Sequence, residues 1–469
     1  MADAKPAAAR ERPWWVPLLG ISLLLPLAFS LFAAPMFAAV ANPDSNAAAL
    51  TVNVVDFDGG LIGAAFSAFW AAHPAGSSWV PVTGATPVTV PGIRLLAASS
   101  TSPDSERAAV RSSAVYASIF VNAGASAALT AALSSPAAAA AYDPSAALTI
   151  VWDEARNNAV TASRVAGPLK GLTDGFAFSM AIAAQGLAAQ LAPSRTAAQA
   201  AASYAAVLGL PVLYREESLF PMTAPVLNQA LAVGQILLCV FSLVAVNMVW
   251  GPLRPLWAGA RAGLPRAARV TALLALLTAT VTAAYATALI GLANSHNLTQ
   301  LSASLAPGVA YGSPNMVGAF SGPMWAQVWA CQWLMMLVLA LWLALAAALA
   351  GTPAIAAALL APMIIFNSIS LNTDVSDPGY KFFYYAPFWH SSEAVRSIMF
   401  GTLASRLPMH IGIHFLWLGV ELLALAAVHL RGARAEAAAA AAAAALTAGG
   451  AKAAAAEEGG QEGAGVREA

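Results

Sequence analysis

Charge is scarce in this sequence. Only 9% of its 469 residues are Asp, Glu, Lys or Arg, against about 25% in an ordinary soluble domain. Hydrophobic residues make up 59% and the mean hydropathy is +0.69. A soluble globular chain is excluded for most of the length, and the bilayer is the solvent such a composition fits. The 22 basic and 22 acidic residues cancel, so no global field recruits nucleic acid. Cysteine is nearly absent. Cys239 and Cys331 both fall in apolar runs, which excludes a disulfide framework for the polar region. Of six histidines only His73 lies between residues 41 and 225, leaving a soluble-type hydrolase there without a base beside a nucleophile. Neither G-x-x-x-x-G-K-[ST] nor G-x-G-x-x-G occurs, so no nucleotide signature is present. No enzyme, cofactor or metal centre is expected.

What is present is long and apolar. A spanning helix needs about 20 mainly apolar residues, and six runs qualify, at 14–40, 226–250, 269–292, 324–350, 353–371 and 409–430. The first ends near "FAAVAN", where Ala39 and Ala41 resemble a signal-peptidase site. Its apolar core exceeds the roughly 7–15 residues of a cleaved signal, which favours a retained anchor. The fourth and fifth runs are separated only by "GTP" at 351–353, predicting a tight hairpin broken by Pro353.

Orientation follows from the short loops. Lys5, Arg10 and Arg12 precede the first run, Arg254, Arg261, Arg266 and Arg269 lie between the second and third, and Arg431 and Arg434 follow the sixth. With six spans all of these fall on one side, the cytoplasmic one. The chain then divides into a cytoplasmic N-terminus (1–13), the first span, an extracytoplasmic domain (41–225), a five-helix membrane domain (226–430) and a cytoplasmic tail (431–469). The loop 293–323 lacks Lys and Arg and carries "NLT", a candidate glycosylation site at Asn297.

The extracytoplasmic region reads as α/β. "TVNVVDFD" is a β-branched run, Asp58-Gly59-Gly60 supplies turn chemistry, and Ile62, Phe66, Phe69 and His73 recur at helical spacing. Two similar units follow, "YASIFVN" before "AGASAALTAAL" and "ALTIVW" before "DEARNNAVTASRV". Alternating strands and helices predict a small sheet covered by helices. Asp153, Glu154 and Arg156 close the third strand, where they either hold a ligand or form a polar strand end facing water.

Four motifs, "VVDFDGGLIG", "YASIFVNAGASAALTAAL", "LTIVWDEARN" and "FFYYAPFWHSSEAVRSIMFGT", resemble successive motifs of the fungal nitrosoguanidine-resistance protein family. The layout of one helix, a large outer domain and about five helices is more distantly similar to phage-infection proteins and type-2 ABC exporter permeases. The resemblance implies residence in a membrane, here the plasma membrane, and a link to drug resistance or lipid handling. The tail after residue 434, mostly Ala with Glu and Gly, matches none of these motifs. Its composition predicts a partly helical, poorly ordered segment.

Two features stand out in the membrane domain. Glu421 lies near the middle of the sixth run, where a carboxylate is costly unless protonated, paired or facing water. His410, His414 and Glu421 share roughly one helix face at intervals of four and seven residues. They form a candidate intramembrane polar pathway. The two alternatives are a metal-binding histidine pair and a protonated Glu421 bonded to Asn247, Gln332 or Asn367 as helix glue. Second, Tyr380, Phe382, Phe383, Tyr384, Tyr385, Phe388 and Trp389 crowd a stretch interrupted by Pro378 and Pro387. This is a candidate interfacial aromatic segment, anchoring the chain at headgroup level or gating a lateral entrance.

Three readings of function remain at this level. The first is a permease-like protein that exports or flips amphipathic molecules, powered by a separate ATPase or a proton gradient. A scaffold or regulator with a partner-binding outer domain is the second, and an intramembrane enzyme the third. Membrane lipids are expected partners of the first, with a separate ATPase or a second copy of the chain.

Overall fold

The computed structural model describes residues 46–80, 87–156, 160–191, 207–219, 225–250, 263–288, 322–350, 354–370, 374 and 378–462. The first candidate span (14–40) and Asn297 lie outside the described residues. Two compact units are formed. The first comprises Met1–Leu238, Thr282–Met335 and Ala361–His414, and the second Cys239–Val281, Met336–Leu360 and Phe415–Ala469.

The strands, all in the first unit, are β1 (Thr51–Asp56), β2 (Ser78–Trp79), β3 (Val88–Thr89), β4 (Gly92–Leu96), β5 (Ala117–Val121), β6 (Leu148–Trp152) and β7 (Tyr214–Ser218). Helices of ten or more residues, with one shorter helix, are α1 (Leu61–Ala71), α2 (Pro103–Arg111), α3 (Ala125–Ser134), α4 (Gly167–Leu191), α5 (Pro225–Trp250), α6 (Gly263–Ala288), α7 (Gly322–Ala350), α8 (Ala354–Ser370), α9 (Pro387–Phe400) and α10 (Leu407–Glu462).

Five strands form one sheet in the order β4-β1-β5-β6-β7. Its pairs are parallel except β5 with β6. The central β5 and β6 are buried at every residue, as expected of strands covered on both faces. Val52, Val54, Ile119, Val121, Leu148 and Ile150 face one side, packed with Ile62 and Phe66 of α1, Leu129 of α3 and Phe176 of α4. Val55, Phe120 and Val151 belong to the opposite core, with Val110 of α2 and Ala394, Val395, Ile398 and Met399 of α9. Period-two alternation sorts the strand residues between these cores.

The three β-branched runs appear where expected, but the edge strands β4 ("GIRLL") and β7 ("YREES") have no such signature. Edge strands tolerate charge because one side is unpaired. The helix expected directly after β6 does not start at Asp153. A turn intervenes, then a π-helical stretch at Thr161–Ala166 leads into α4.

The β1–α1 turn is held by two carboxylates. Asp56 Oδ1 accepts from the backbone N–H groups of Asp58 and Gly59 at 2.9 and 3.0 Å. Asp58 accepts from the Ser126 N–H at 3.0 Å and from its hydroxyl, whose oxygen accepts in turn from Ile62 N–H at 2.7 Å. Gly59 has φ +63°, a region costly for other residues.

In the second unit the Ser242 hydroxyl donates to the Met336 carbonyl at 3.2 Å. Trp342 and Trp417 meet edge to face at 5.0 Å. Three helical segments among the described residues, Leu264–Ala288, Gly322–Ala350 and Ala404–Gly449, are long and apolar enough to cross a membrane. Exposed Leu276, Leu416 and Leu423 give these helices apolar outer surfaces, as contact with lipid requires. The protein is a membrane protein by this measure, with three candidate spans where the sequence predicts about six. The described apolar parts of α5 and α8, Gly234–Trp250 and Ile355–Ile365, fall short of a span. Past Leu430, α10 continues unbroken to Glu462, sustained by the high helix propensity of its alanines.

Candidate functional site

Arg156 is the unexpected centre of the first unit. The end of β6 and the following turn bring it under the sheet, 8% exposed. Its Nη1 donates to the carbonyls of Ser113 and Val115, both at 3.1 Å. The guanidinium stacks on the Tyr116 ring at 3.6 Å, a favourable desolvated cation–π contact. Asp153, fully buried, accepts from the Arg156 N–H at 3.0 Å and from the Thr402 hydroxyl. These two residues are therefore no water-facing strand end. Glu154 alone keeps partial exposure and accepts from the Ser218 hydroxyl at 3.2 Å.

Next to Arg156 is a cavity of about 370 Å³, within the size range of ligand sites. Tyr116, Arg156, Asp374, Tyr384, Tyr385, Trp389, His390 and Glu393 form its polar and aromatic walls, and Leu403, Arg406, Met409 and Ile413 complete it. Tyr384 donates to Asp374 Oδ1 at 2.7 Å. Burial raises the phenol pKa of both Tyr116 and Tyr384, so each stays a neutral donor.

The back wall comes from α9, which is buried along its whole length despite the sequence "HSSEAVRS". Glu393 pairs with Arg396 one turn on, at 2.7 Å. Burial pushes the Glu393 pKa up against the opposing pull of Arg396. Glu393 Oε2, Arg396 Nε and the hydroxyls of Ser392 and Ser397 have no hydrogen-bond partner among the described residues. Gln332 donates to Ser391 at 3.3 Å, and Ser391 donates to Gln235 at 3.4 Å. Buried polar atoms without partners are uncommon enough to mark a site that water or a ligand completes.

The histidines take an arrangement the sequence did not reveal. His390 Nδ1 and His410 Nδ1 are 2.9 Å apart, so one must donate and the other accept. His414 Nδ1 donates to the His410 carbonyl at 2.8 Å. Trp389 packs edge-on against both His390 and His410. Burial draws the His390 pKa down to about 4, keeping its ring neutral near pH 7. Among the described residues no group of three or more His, Cys, Asp or Glu is placed to hold a metal ion.

Glu421, in the second unit, is buried with neither carboxylate oxygen bonded among the described residues. Of its expected partners, Asn247 bonds the Leu243 carbonyl of its own helix at 2.9 Å and Gln332 bonds Ser391. The side chain of Asn367 lies outside the described residues.

The aromatic segment divides in two. Phe388 and Trp389 are buried in α9, whereas Phe382 and Tyr385 are exposed. Tyr384 is half-buried over Asp374, and the side chains of Tyr380 and Phe383 lie outside the described residues. Pro387 is the reason for the division, since it starts a helix at N1 and turns the following residues inward.

Asp153 gives the site a pH signature. Burial lifts its pKa to about 6 from 3.8, against lowering by Thr402 and by the Arg156 backbone and charge. The folded state then binds this proton more tightly than the unfolded state. Its stabilising contribution is complete below about pH 3.8 and is lost as pH rises through about 6, on the order of 3 kcal/mol in all. Asp153→Asn should flatten this part of the profile, narrowing the wild-type fall in thermal stability between pH 4 and 7. Parallel profiles for the two proteins would refute the assignment.

Comparison with known proteins returns no match to a curated protein or a solved structure. Residues 21–423, which include β1 to β7, the cavity and Glu421, match the family described as "Protein of unknown function (DUF3533)", and the chain belongs to that family.

Proposed function

We propose that the protein is a permease-like membrane protein that takes up amphipathic molecules and moves them out of, or between the leaflets of, the membrane. The observation that carries this reading is the cavity's mixed lining. Buried charges and aromatic rings form its walls, while Met409 and Ile413 lie on a helix long and apolar enough to span the bilayer. An amphiphile needs both environments at once. The motif resemblance to nitrosoguanidine-resistance proteins supports a role in resistance to toxic compounds at the plasma membrane, with the α/β region outside the cytoplasm. Membrane lipids are the natural partners, and either a separate ATPase or a proton gradient supplies energy.

Glu421 is the group a proton-driven cycle would use, because a buried carboxylate without a bonded partner is poised to bind and release a proton. The test is purified protein in liposomes, assayed for movement of fluorescent lipid or dye with and without a pH gradient. Movement stimulated by the gradient is the expected result. Glu421→Gln should then reduce or abolish that stimulation at undiminished abundance. A fully active Glu421→Gln variant would eliminate proton coupling and leave an ATPase partner as the energy source. Binding without movement under any condition would favour the scaffold reading instead.

A further inference from the structure

Two charged groups in the cavity lack protein partners, and they sit at different depths. Arg156 is engaged by two carbonyls, Tyr116 and Asp153, and Asp374 accepts from Tyr384. By contrast, Glu393 is 2% exposed and its Oε2 accepts no hydrogen bond among the described residues. Arg406 is exposed and has no ion pair among the described residues. The inner group calls for a hydrogen-bond donor, best a charged one. The outer group calls for an anion, and a guanidinium suits the oxygens of a phosphate. Tyr116, Tyr384, Tyr385 and Trp389 supply aromatic surface that favours a cation. Met409 and Ile413 lie one and two turns beyond Arg406 toward the spanning part of α10.

We propose that this cavity receives the headgroup of a phosphatidylethanolamine-type phospholipid. The primary ammonium donates to Glu393 Oε2, the phosphate pairs with Arg406, and the acyl chains leave along Met409 and Ile413. The order of groups in such a lipid, ammonium then phosphate then chains, follows the order of burial in the site. A trimethylammonium head has no N–H to satisfy Glu393. An anionic head would meet Glu393 and Asp374 with no ammonium to offset them, and a simple alkylamine would leave Arg406 unmatched. The inference rests on the amphiphile-uptake reading above and names its substrate class.

The test uses the full-length protein in a maltoside detergent and titration calorimetry. Dihexanoyl phosphatidylethanolamine is compared with the matching phosphatidylcholine and phosphatidylglycerol, with dodecylamine, and with free phosphoethanolamine. The ethanolamine lipid should bind about tenfold or more tighter than each of the others, a difference this method resolves. Arg406→Ala, at an exposed position, should remove the advantage over dodecylamine. The double variant Glu393→Gln with Arg396→Gln, which leaves no buried charge unpaired, should remove the advantage over phosphatidylcholine. Should the double variant not fold, the ligand series and Arg406→Ala still decide. Equal or tighter binding of phosphatidylcholine or phosphatidylglycerol would overturn the headgroup assignment and leave amphiphile uptake standing. Free phosphoethanolamine binding as tightly as the lipid would overturn the lipid source. An ethanolamine lipid that binds unchanged to Arg406→Ala would overturn the site. Failure of every amphiphile to bind would overturn both this inference and the reading beneath it.

Discussion

Arg156→Met should destabilise the first unit by about 3 kcal/mol or more, the usual cost of removing one partner from a buried charged pair. Methionine replaces the stem of the side chain but none of its donors. The carbonyls of Ser113 and Val115 lose hydrogen bonds, Tyr116 loses the stacked cation, and Asp153 keeps its burial without the facing charge. Folded yield by size-exclusion chromatography and the thermal midpoint should both fall. Arg156→Lys should rescue little, because one ammonium cannot reproduce a planar group that bonds two carbonyls and stacks on a ring. Adding Asp153→Asn to Arg156→Met should recover part of the loss by removing the orphaned carboxylate. Wild-type stability in Arg156→Met would show that the cluster is incidental to the fold.

Gly63→Ala is the second large effect. A Cβ at this position would lie 2.0 Å from Asp56 Oδ1 and 2.3 Å from Asp56 Cγ. Asp56 would have to move, and Oδ1 is the acceptor for both Asp58 and Gly59. Losing two hydrogen bonds to a charged acceptor costs about 3 kcal/mol or more. Gly59→Val should also lower folded yield, for a different reason. Nothing would obstruct its side chain, and the cost is the positive φ imposed on a β-branched residue. Gly186→Ala is the contrasting control, since its Cβ would meet nothing in the middle of α4. It should be neutral or stabilising by about 0.5–1 kcal/mol. Limited proteolysis and thermal melting of the three variants would rank them, and a Gly63→Ala protein as stable as Gly186→Ala would refute the packing argument.

Local chemistry determined a good part of this protein from its sequence alone. The scarcity of charge and the apolar runs set a membrane chain with long helices, because lipid leaves the backbone few ways to satisfy its own polar groups. Three central strands were legible because strands covered on both faces must be apolar and favour β-branched residues. The glycine turn after β1 was legible because few residues accept a positive φ. Tertiary structure decided the rest. β4 and β7 became strands through pairing with β1 and β6, not through their own propensity. "HSSEAVRS" reads as loop or interface, yet packing against Val55, Phe120 and Val151 buries it as α9. Asp153 and Arg156 look solvent-directed in sequence and are buried because partners far along the chain, Thr402 and Tyr116 among them, complete their bonds. The meeting of His390 with His410, and the cavity joining residues as distant as Tyr116 and Ile413, have no local signature. Such contacts depend on which surfaces are brought together, and periodicity along one segment records only that segment's own faces.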